Sequence, residues 1–367
     1  MEPFWRGAAE RTILEIDLDY GVLSAAPQNP VEAMRARNAP SLRVLSERLH
    51  EATSDPAIAG LIVHVGTCPL SAAQVDELGD ALAEFRTAHP VWAYTESFGE
   101  LGGSMWPYRL AAQADQVWLA PSGQLGLTGV RASVTLLRGT LDKLGVEPQF
   151  GQRKEYKTAA DQLAAREITA ANREMMQRLA NSLCHDTVHL IARRRGSTTD
   201  DVWNALDAGL LTAHEALDRR LIDRIGYRDQ VYAAARDEWL SGRPAELRYV
   251  HRQRPAAHAL DKLRQRTQPS VAIVGVHGQI VRGRPQPSLG AGPVAASEAV
   301  CEQLRAAGRD ELVRAVVLRV ESPGGSYIAS DQIRREVLQL KASGRPVVAS
   351  MGDVAASGGY FVAMGAT

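Results

Sequence analysis

The sequence is poor in several things, and each scarcity narrows its chemistry. Cysteine occurs three times, at Cys68, Cys184 and Cys301, far apart and without a C-x-x-C pair. That spacing argues against a disulfide framework or a cysteine zinc site and fits a reducing compartment. Long apolar runs are missing: Gly60 to Val65 and Ala315 to Val320 are of strand length, far short of a membrane span. The opening MEPFWRGAAER lacks the apolar core of a signal peptide. Net charge is missing too, since 42 basic residues balance 42 acidic ones. Bulk charge therefore directs the chain to neither nucleic acid nor an acidic membrane. Lysine is the rarest charge, confined to Lys143, Lys154, Lys157, Lys262 and Lys341. Wherever chemistry needs an amine that can lose its proton, these are the candidates, because arginine stays protonated.

What is present reads as alternating strands and helices. Leu14 to Val22, Gly60 to Val65, Val91 to Thr95 and Ala114 to Pro121 are strand-like. Leu42, Leu45 and Leu49, and then Val75, Leu78 and Leu82, recur at helical spacing between them. That alternation predicts an α/β chain with a largely parallel sheet. A long helix is predicted from the N-cap Thr169 to Gly196, with Met175, Leu179, Leu183 and Leu190 on one face. Cys184, His185 and His189 also lie on it, but no acidic or cysteine partner accompanies them. An exposed polar face is the preferred reading, and no metal or other cofactor is expected.

Between Gly242 and Pro269 the composition turns arginine- and proline-rich, with a helical patch at Ala256 to Leu263, and residues 246–268 read as a linker. Beyond it the pattern starts again. Val271 answers Leu14, Ala315 answers Gly60 and Arg345 answers His89, at offsets of 255 to 257 residues. The chain thus divides into a first copy at 1–245, the linker, and a second copy at 269–367. The copies differ in one informative way. Ser357-Gly358-Gly359 falls on Leu101-Gly102-Gly103, and Glu321-Ser-Pro-Gly-Gly-Ser326 falls on Gly66-Thr-Cys-Pro-Leu-Ser71. A serine and a Ser-Pro-Gly-Gly loop occur together in one copy and are lost together from the other.

Ser357 follows the apolar run Val347-Val348-Ala349, a strand expected to be buried on both faces, and a turn over Gly352 to Ala356. It precedes helix-compatible residues. A helix N-terminus offers free N–H groups to a developing anion, which suits a nucleophile as well as an ordinary cap. Amides of Gly324 or Gly325 and of Gly358 could hold an oxyanion; alternatively, Pro-Gly-Gly is a turn into the helix Ser330 to Lys341. A serine nucleophile needs a base, and neither a nearby histidine nor a G-x-S-x-G elbow is present. Lys157, flanked by Thr158-Ala159-Ala160, is the preferred candidate base over Lys154, which sits among Arg153 and Glu155, since a partly buried lysine is more readily neutral; taken by itself, a plain surface role is the commoner reading of such a lysine.

The stretches GLIVHV, FGQRKEYKTAAD, VLRVESPGGSYIASDQIRREV and GRPVVASMGDVAASGGYF closely resemble the signal peptide peptidase A (protease IV) family in its long two-repeat form, from about Leu14 to Thr367. The resemblance implies two tandem crotonase/Clp-protease-like repeats, the second incomplete, and a serine endopeptidase with a Ser/Lys dyad. Lys157 matches the lysine of the family's Tyr-Lys-Ser/Thr-Ala motif and Ser357 the serine of Ala-Ser-Gly-Gly. Ser322 to Gly325 match the loop that helps form the oxyanion hole. It further implies apolar signal-peptide remnants as substrates, a homotetramer, and association with a membrane; the sequence taken alone would read as cytoplasmic. Three features depart from the family: Glu321 before Ser-Pro-Gly-Gly, the lack of an N-terminal anchor, and an end ten residues after Ser357. The last suggests a truncated chain and a competing expectation, a catalytically dead remnant that assembles or binds peptides. An acyl-CoA-handling enzyme on the same fold is disfavoured by the pairing of serine with lysine.

Overall fold

The computed structural model describes residues 11–24, 39–67, 69–99, 103–252, 268–284 and 293–366. Pro27, Pro30, Cys68, Leu101, Gly102, Lys262, the patch Ala256 to Leu263 and Thr367 lie outside the described residues.

The chain begins β1 (Thr12–Asp17), α1 (Leu42–Thr53), β2 (Ile58–His64), α2 (Ala72–Phe85) and β3 (Val91–Thr95). Then follow α3 (Met105–Ala111), β4 (Gln116–Leu119), β5 (Gln124–Gly126), α4 (Arg138–Lys143) and α5 (Asp161–Ala164). Next come α6 (Ala170–Arg195), α7 (Thr199–Ala208), β6 (Leu210–Thr212), α8 (Ala213–Asp218), β7 (Arg224–Ile225), α9 (Arg228–Leu240) and β8 (Glu246–Tyr249). Last come β9 (Ser270–His277), β10 (Gln279–Val281), β11 (Val294–Ala296), α10 (Ser297–Arg309), β12 (Val313–Ser322), α11 (Tyr327–Ala342), β13 (Val347–Ala355) and α12 (Gly358–Ala363). The structure is α/β with parallel sheets.

The chain forms two compact units. One comprises Met1–Ile62, Cys68–Val91 and Trp239–Thr367; the other comprises Val63–Thr67 and Trp92–Glu238. In the first, β1 pairs in parallel with β8, and β12 pairs in parallel with both β9 and β13. In the second, β4 pairs in parallel with β3 and β7.

Local sequence explains why the main elements begin where they do. Ser41 caps α1 by accepting from Val44 N, and Ser71 and Gln74 form a reciprocal capping box on α2. Thr169 caps α6 and Gly196 closes it, as the sequence predicts. β2 is buried along its whole length, as its unbroken apolar run requires. A core lies between one face of the β9, β12 and β13 sheet and the helices α10 and α11. Val274, Val276, Val316, Leu318 and Val320 meet Leu304, Ile333 and Val337 there. Each such side chain contributes about 1.5–3 kcal/mol by leaving water.

Three expectations need correction. The opening strand stops at Asp17, whose carboxylate accepts from Asp19 N and turns the chain into a 3-10 segment, Leu18–Tyr20. On α6 the buried residues are Ala171, Asn172, Thr187, Val188, Ile191 and Ala192, and Leu179 is exposed. The helix is held along a stripe of Val188, Ile191 and Ala192 together with Thr187, whose Oγ1 accepts from Arg109 Nη1 at 2.8 Å, rather than by its leucines. Finally, β13 is not buried on both faces and does not end at Ala349. It continues to Ala355 as an edge strand among the described residues, with Val348, Met351 and Val354 exposed.

Candidate active site

Ser357 sits where β13 gives way to α12, and its backbone is strained. It has φ 51 and ψ −116, a region that side chains with a Cβ rarely occupy. Its surroundings over-determine that conformation. Ala356 N donates to Ser322 O at 3.0 Å, Gly359 N to Ala356 O at 2.9 Å, and Phe361 N to Ser357 O at 3.0 Å. The serine itself is exposed, while Gly358 and Gly359 behind it are buried.

The Ser-Pro-Gly-Gly loop packs directly against this turn. The buried Ser322 hydroxyl donates to Gly278 O at 2.6 Å and accepts from Gly324 N at 3.1 Å. Ile280 N donates to Gly324 O, and Ser326 N donates back to Ile280 O, both at 2.9 Å. Gly324 has φ 95, and a Cβ there would stand 2.6 Å from Gly358 N and 2.8 Å from the Ser357 Cβ. At Gly325, φ 151, a Cβ would overlap the carbonyl of Ile280. Only glycine allows two loops to approach this closely.

The amides differ in their engagement. Gly324 N–H is taken by Ser322 Oγ. Gly325 N–H and Gly358 N–H, the latter at the first position of α12, donate to no acceptor among the described residues. A Cβ on Gly358 would lie 3.4 Å from Gly325 N, so the two donors are close neighbours beside the serine. Paired N–H groups at a helix start are suited to an anion that forms during a reaction.

Two hydroxyls completing this packing were not singled out from sequence. Ser330 is fully buried, donates to Ser326 O at 2.9 Å, and fills the space a Cβ on Gly358 would need. Ser322 was noted only as part of its motif. Their signal is the spacing of Ser322, Ser326 and Ser330, four residues apart, of which only the last pair falls on a helical face.

Ser357, Gly324, Gly325 and Gly358 thus come together in the first unit. Lys157 belongs to the second. It precedes a 3-10 turn, Thr158–Ala160, with φ −84 and ψ 65, and its N–H reaches Lys154 O at 3.4 Å. The side chain is exposed, not partly buried as its small neighbours suggest, because the turn directs Asp161 inward instead. Asp161 Oδ2 accepts from Thr169 Oγ1 at 2.7 Å, tying the turn to the start of α6. The neighbouring Tyr156 hydroxyl donates to Glu174 at 2.7 Å, and that bond pushes its pKa up. His185 and His189 are exposed on α6, with the His185 ring edge-on to Trp203 at 5.2 Å. Among the described residues no helix is long and apolar enough to cross a membrane.

The sequence was compared with known proteins. The profile of peptidase family S49 matches residues 83–240. The chain is 29% identical over 330 residues to the chloroplastic serine protease SPPA of Arabidopsis thaliana, covering 89% of this chain and 47% of that protein. It is 33% identical over 297 residues to protease 4 of Salmonella typhi, covering 78% and 46%. To protease 4 of Haemophilus influenzae it is 28% identical over 326 residues, covering 86% and 51%. The chain spans about half the length of these curated relatives. The family profile and the extended similarity to SPPA and protease 4 agree: residues 83–240 match peptidase family S49, and most of the chain is similar to its SppA serine peptidases.

Proposed function

We propose that the chain carries a serine endopeptidase site in which Ser357 is the nucleophile and Lys157 the general base. Gly325 and Gly358 supply the oxyanion N–H groups, and Gly324 shapes the loop that places them. The observation that carries this reading is the strained Ser357 beside two adjacent amides that have no acceptor among the described residues. Strain of this kind costs on the order of 1–3 kcal/mol and gathers at functional sites.

In the reaction, Lys157 Nζ takes the Ser357 hydroxyl proton while Oγ bonds to the peptide carbonyl carbon. Negative charge collects on the carbonyl oxygen, where Gly325 and Gly358 N–H donate to it. Each such donor is worth about 3 kcal/mol in the transition state. Collapse of the adduct breaks the C–N bond, and the protonated lysine passes its proton to the leaving amine. Water then attacks the Ser357 ester, its proton going to Lys157; collapse breaks the C–Oγ bond, Lys157 returns that proton to Oγ, and the new carboxylic acid leaves and ionises in water.

The substrates proposed are extended apolar peptides such as remnants of signal peptides. A homotetramer at a membrane is proposed from the same resemblance. So is the organisation into two crotonase/Clp-like copies at 1–245 and 269–367 joined by 246–268. It is supported by the order β9, α10, β12, α11, β13, which repeats β1, α1, β2, α2, β3 apart from the added β10 and β11.

A fluorophosphonate probe should label Ser357 in the full chain, and Ser357→Ala should abolish labelling. Lys157→Ala should slow it by about a hundredfold or more. A folded chain that is not labelled overturns the reading. One observation favours a second reading, a non-catalytic chain that assembles or binds peptides: the Lys157 side chain is exposed. Apolar-peptide binding without labelling would favour it.

A further inference from the structure

The ladder between β12 and β13 is regular from Val316 opposite Val347 to Val320 opposite Met351, and the next pair is Ser322 with Ala355. Three residues of β13, Gly352 to Val354, therefore face one residue of β12, Glu321. The strand bulges just before the turn that presents Ser357. A bulge gives up regular register, so something else must fix where the strand goes next.

Side chains reaching α2 do this within the bulge and just before it. Within the bulge, Asp353 Oδ1 accepts from Ala73 N at 3.1 Å. Ala73 lies in the first turn of α2, where a backbone N–H has no partner within the helix and a carboxylate is favoured. One turn along the same helix, Glu77 Oε2 accepts from Arg319 Nη2 at 2.7 Å. The other arm of that guanidinium, Nη1, donates to Ser350 Oγ at 3.0 Å. Thus α2 meets β13 directly at Asp353 and through Arg319 at Ser350. All of these residues lie in the same compact unit as Ser357.

We infer that Asp353 is a positioning residue for Ser357: by holding the bulge against α2 it sets the backbone of the Ala355-Ala356-Ser357 turn. The hydroxyl deletion in the first copy then has a structural counterpart. The first copy contributes α2 as an anvil for a nucleophile that only the second copy retains. The kinetic part of this inference rests on Ser357 being the nucleophile; the structural part does not.

The test uses the full chain with Asp353→Ala and Asp353→Asn. Asp353 is exposed, so neither change empties a core, and asparagine keeps an acceptor oxygen for Ala73 N–H. Amide hydrogen exchange is read at Ala356, Gly359 and Phe361, whose N–H groups are bonded within the turn and to Ser322. Asp353→Ala should speed their exchange about tenfold or more with α11 unchanged, and Asp353→Asn should restore the parent rate. Fluorophosphonate labelling of Ser357 and peptide kcat should fall about tenfold in the alanine variant at constant KM, and recover with asparagine. Parent exchange rates in Asp353→Ala would overturn the inference. So would parent labelling rates in that variant, even with Ser357 established as nucleophile. A loosened turn in a chain whose Ser357 is never labelled would instead support the positioning and remove the peptidase reading.

Discussion

Gly324 and Ser357 approach so closely that a Cβ on the glycine would stand 2.8 Å from the Cβ of the serine. The glycine also has φ 95, so alanine there meets two penalties at once. Overpacking costs about 1–3 kcal/mol and an unsuitable φ about 1 kcal/mol more, giving roughly 3 kcal/mol for Gly324→Ala. Gly344→Ala shares the positive φ, 82, but opens onto free space and should lose only about 1 kcal/mol. Urea unfolding of the two variants makes the comparison, and equal losses would show that the two loops can part.

The backbone of Ser357 makes its two simplest replacements unequal. Ser357→Ala and Ser357→Gly both remove the hydroxyl, and both should be inactive. Glycine alone relaxes at φ 51 and ψ −116. Relief of about 1–3 kcal/mol, offset by about 0.5–1 kcal/mol of extra freedom in the unfolded chain, leaves the glycine variant about 1 kcal/mol more stable. Matched denaturant midpoints would mean that the turn is not strained.

Stability should fall in acid partly through His277. Burial, assisted by the Arg319 charge and opposed by Glu321, holds its pKa below the usual histidine value. The unfolded chain then binds this proton more readily than the folded one. The contribution is complete above the ordinary histidine pKa of about 6.5 and is lost as pH falls through the lowered folded value. His277→Gln lacks that loss. Between about pH 7.5 and 5 the melting temperature of the parent should drop further than that of the variant, and parallel curves would contradict the assignment.

In the second unit, Arg195 ties the end of α6 to the approach of β7. Its guanidinium meets both oxygens of Asp223, at 2.8 and 2.9 Å, and its Nε donates to Arg220 O at 2.9 Å. The side chain is only 7% exposed, and Asp223 Oδ2 also accepts from Val117 N at 2.7 Å. Arg195→Met would strand that carboxylate and should cost about 3 kcal/mol by chemical denaturation. A loss below about 0.5 kcal/mol would class the pair with exposed ones.

Much of the scaffold was legible because burial forces periodicity. The run from Gly60 to Val65 read as an interior strand, and Thr169 and Gly196 marked the two ends of α6. The sequence also grouped Ser357 with Gly324 and Gly325, since the serine and the Ser-Pro-Gly-Gly loop are both missing from the matching positions some 256 residues earlier, where Gly358 finds its counterpart in Gly102. Engagement was not legible. Nothing in Ser-Pro-Gly-Gly says that the serine hydroxyl occupies the first glycine amide and leaves the second. The exposed face of β13 was hidden for a similar reason: Val348 looks like a core residue until its place at a sheet edge is known. Contacts such as that between Ala73 and Asp353, 280 residues apart, follow from tertiary docking and leave no local pattern.

The three-against-one mismatch between β13 and Glu321 has a consequence for how this segment tolerates change in length. Side chains along a strand alternate between faces, so removing any one residue from Gly352 to Val354 would shift the parity of everything after it. Ser357 would then be delivered to the opposite side of its own turn, whatever its identity. Indels at these three positions should therefore silence the serine as thoroughly as its substitution, while the core around Val316 and Leu318 stays packed.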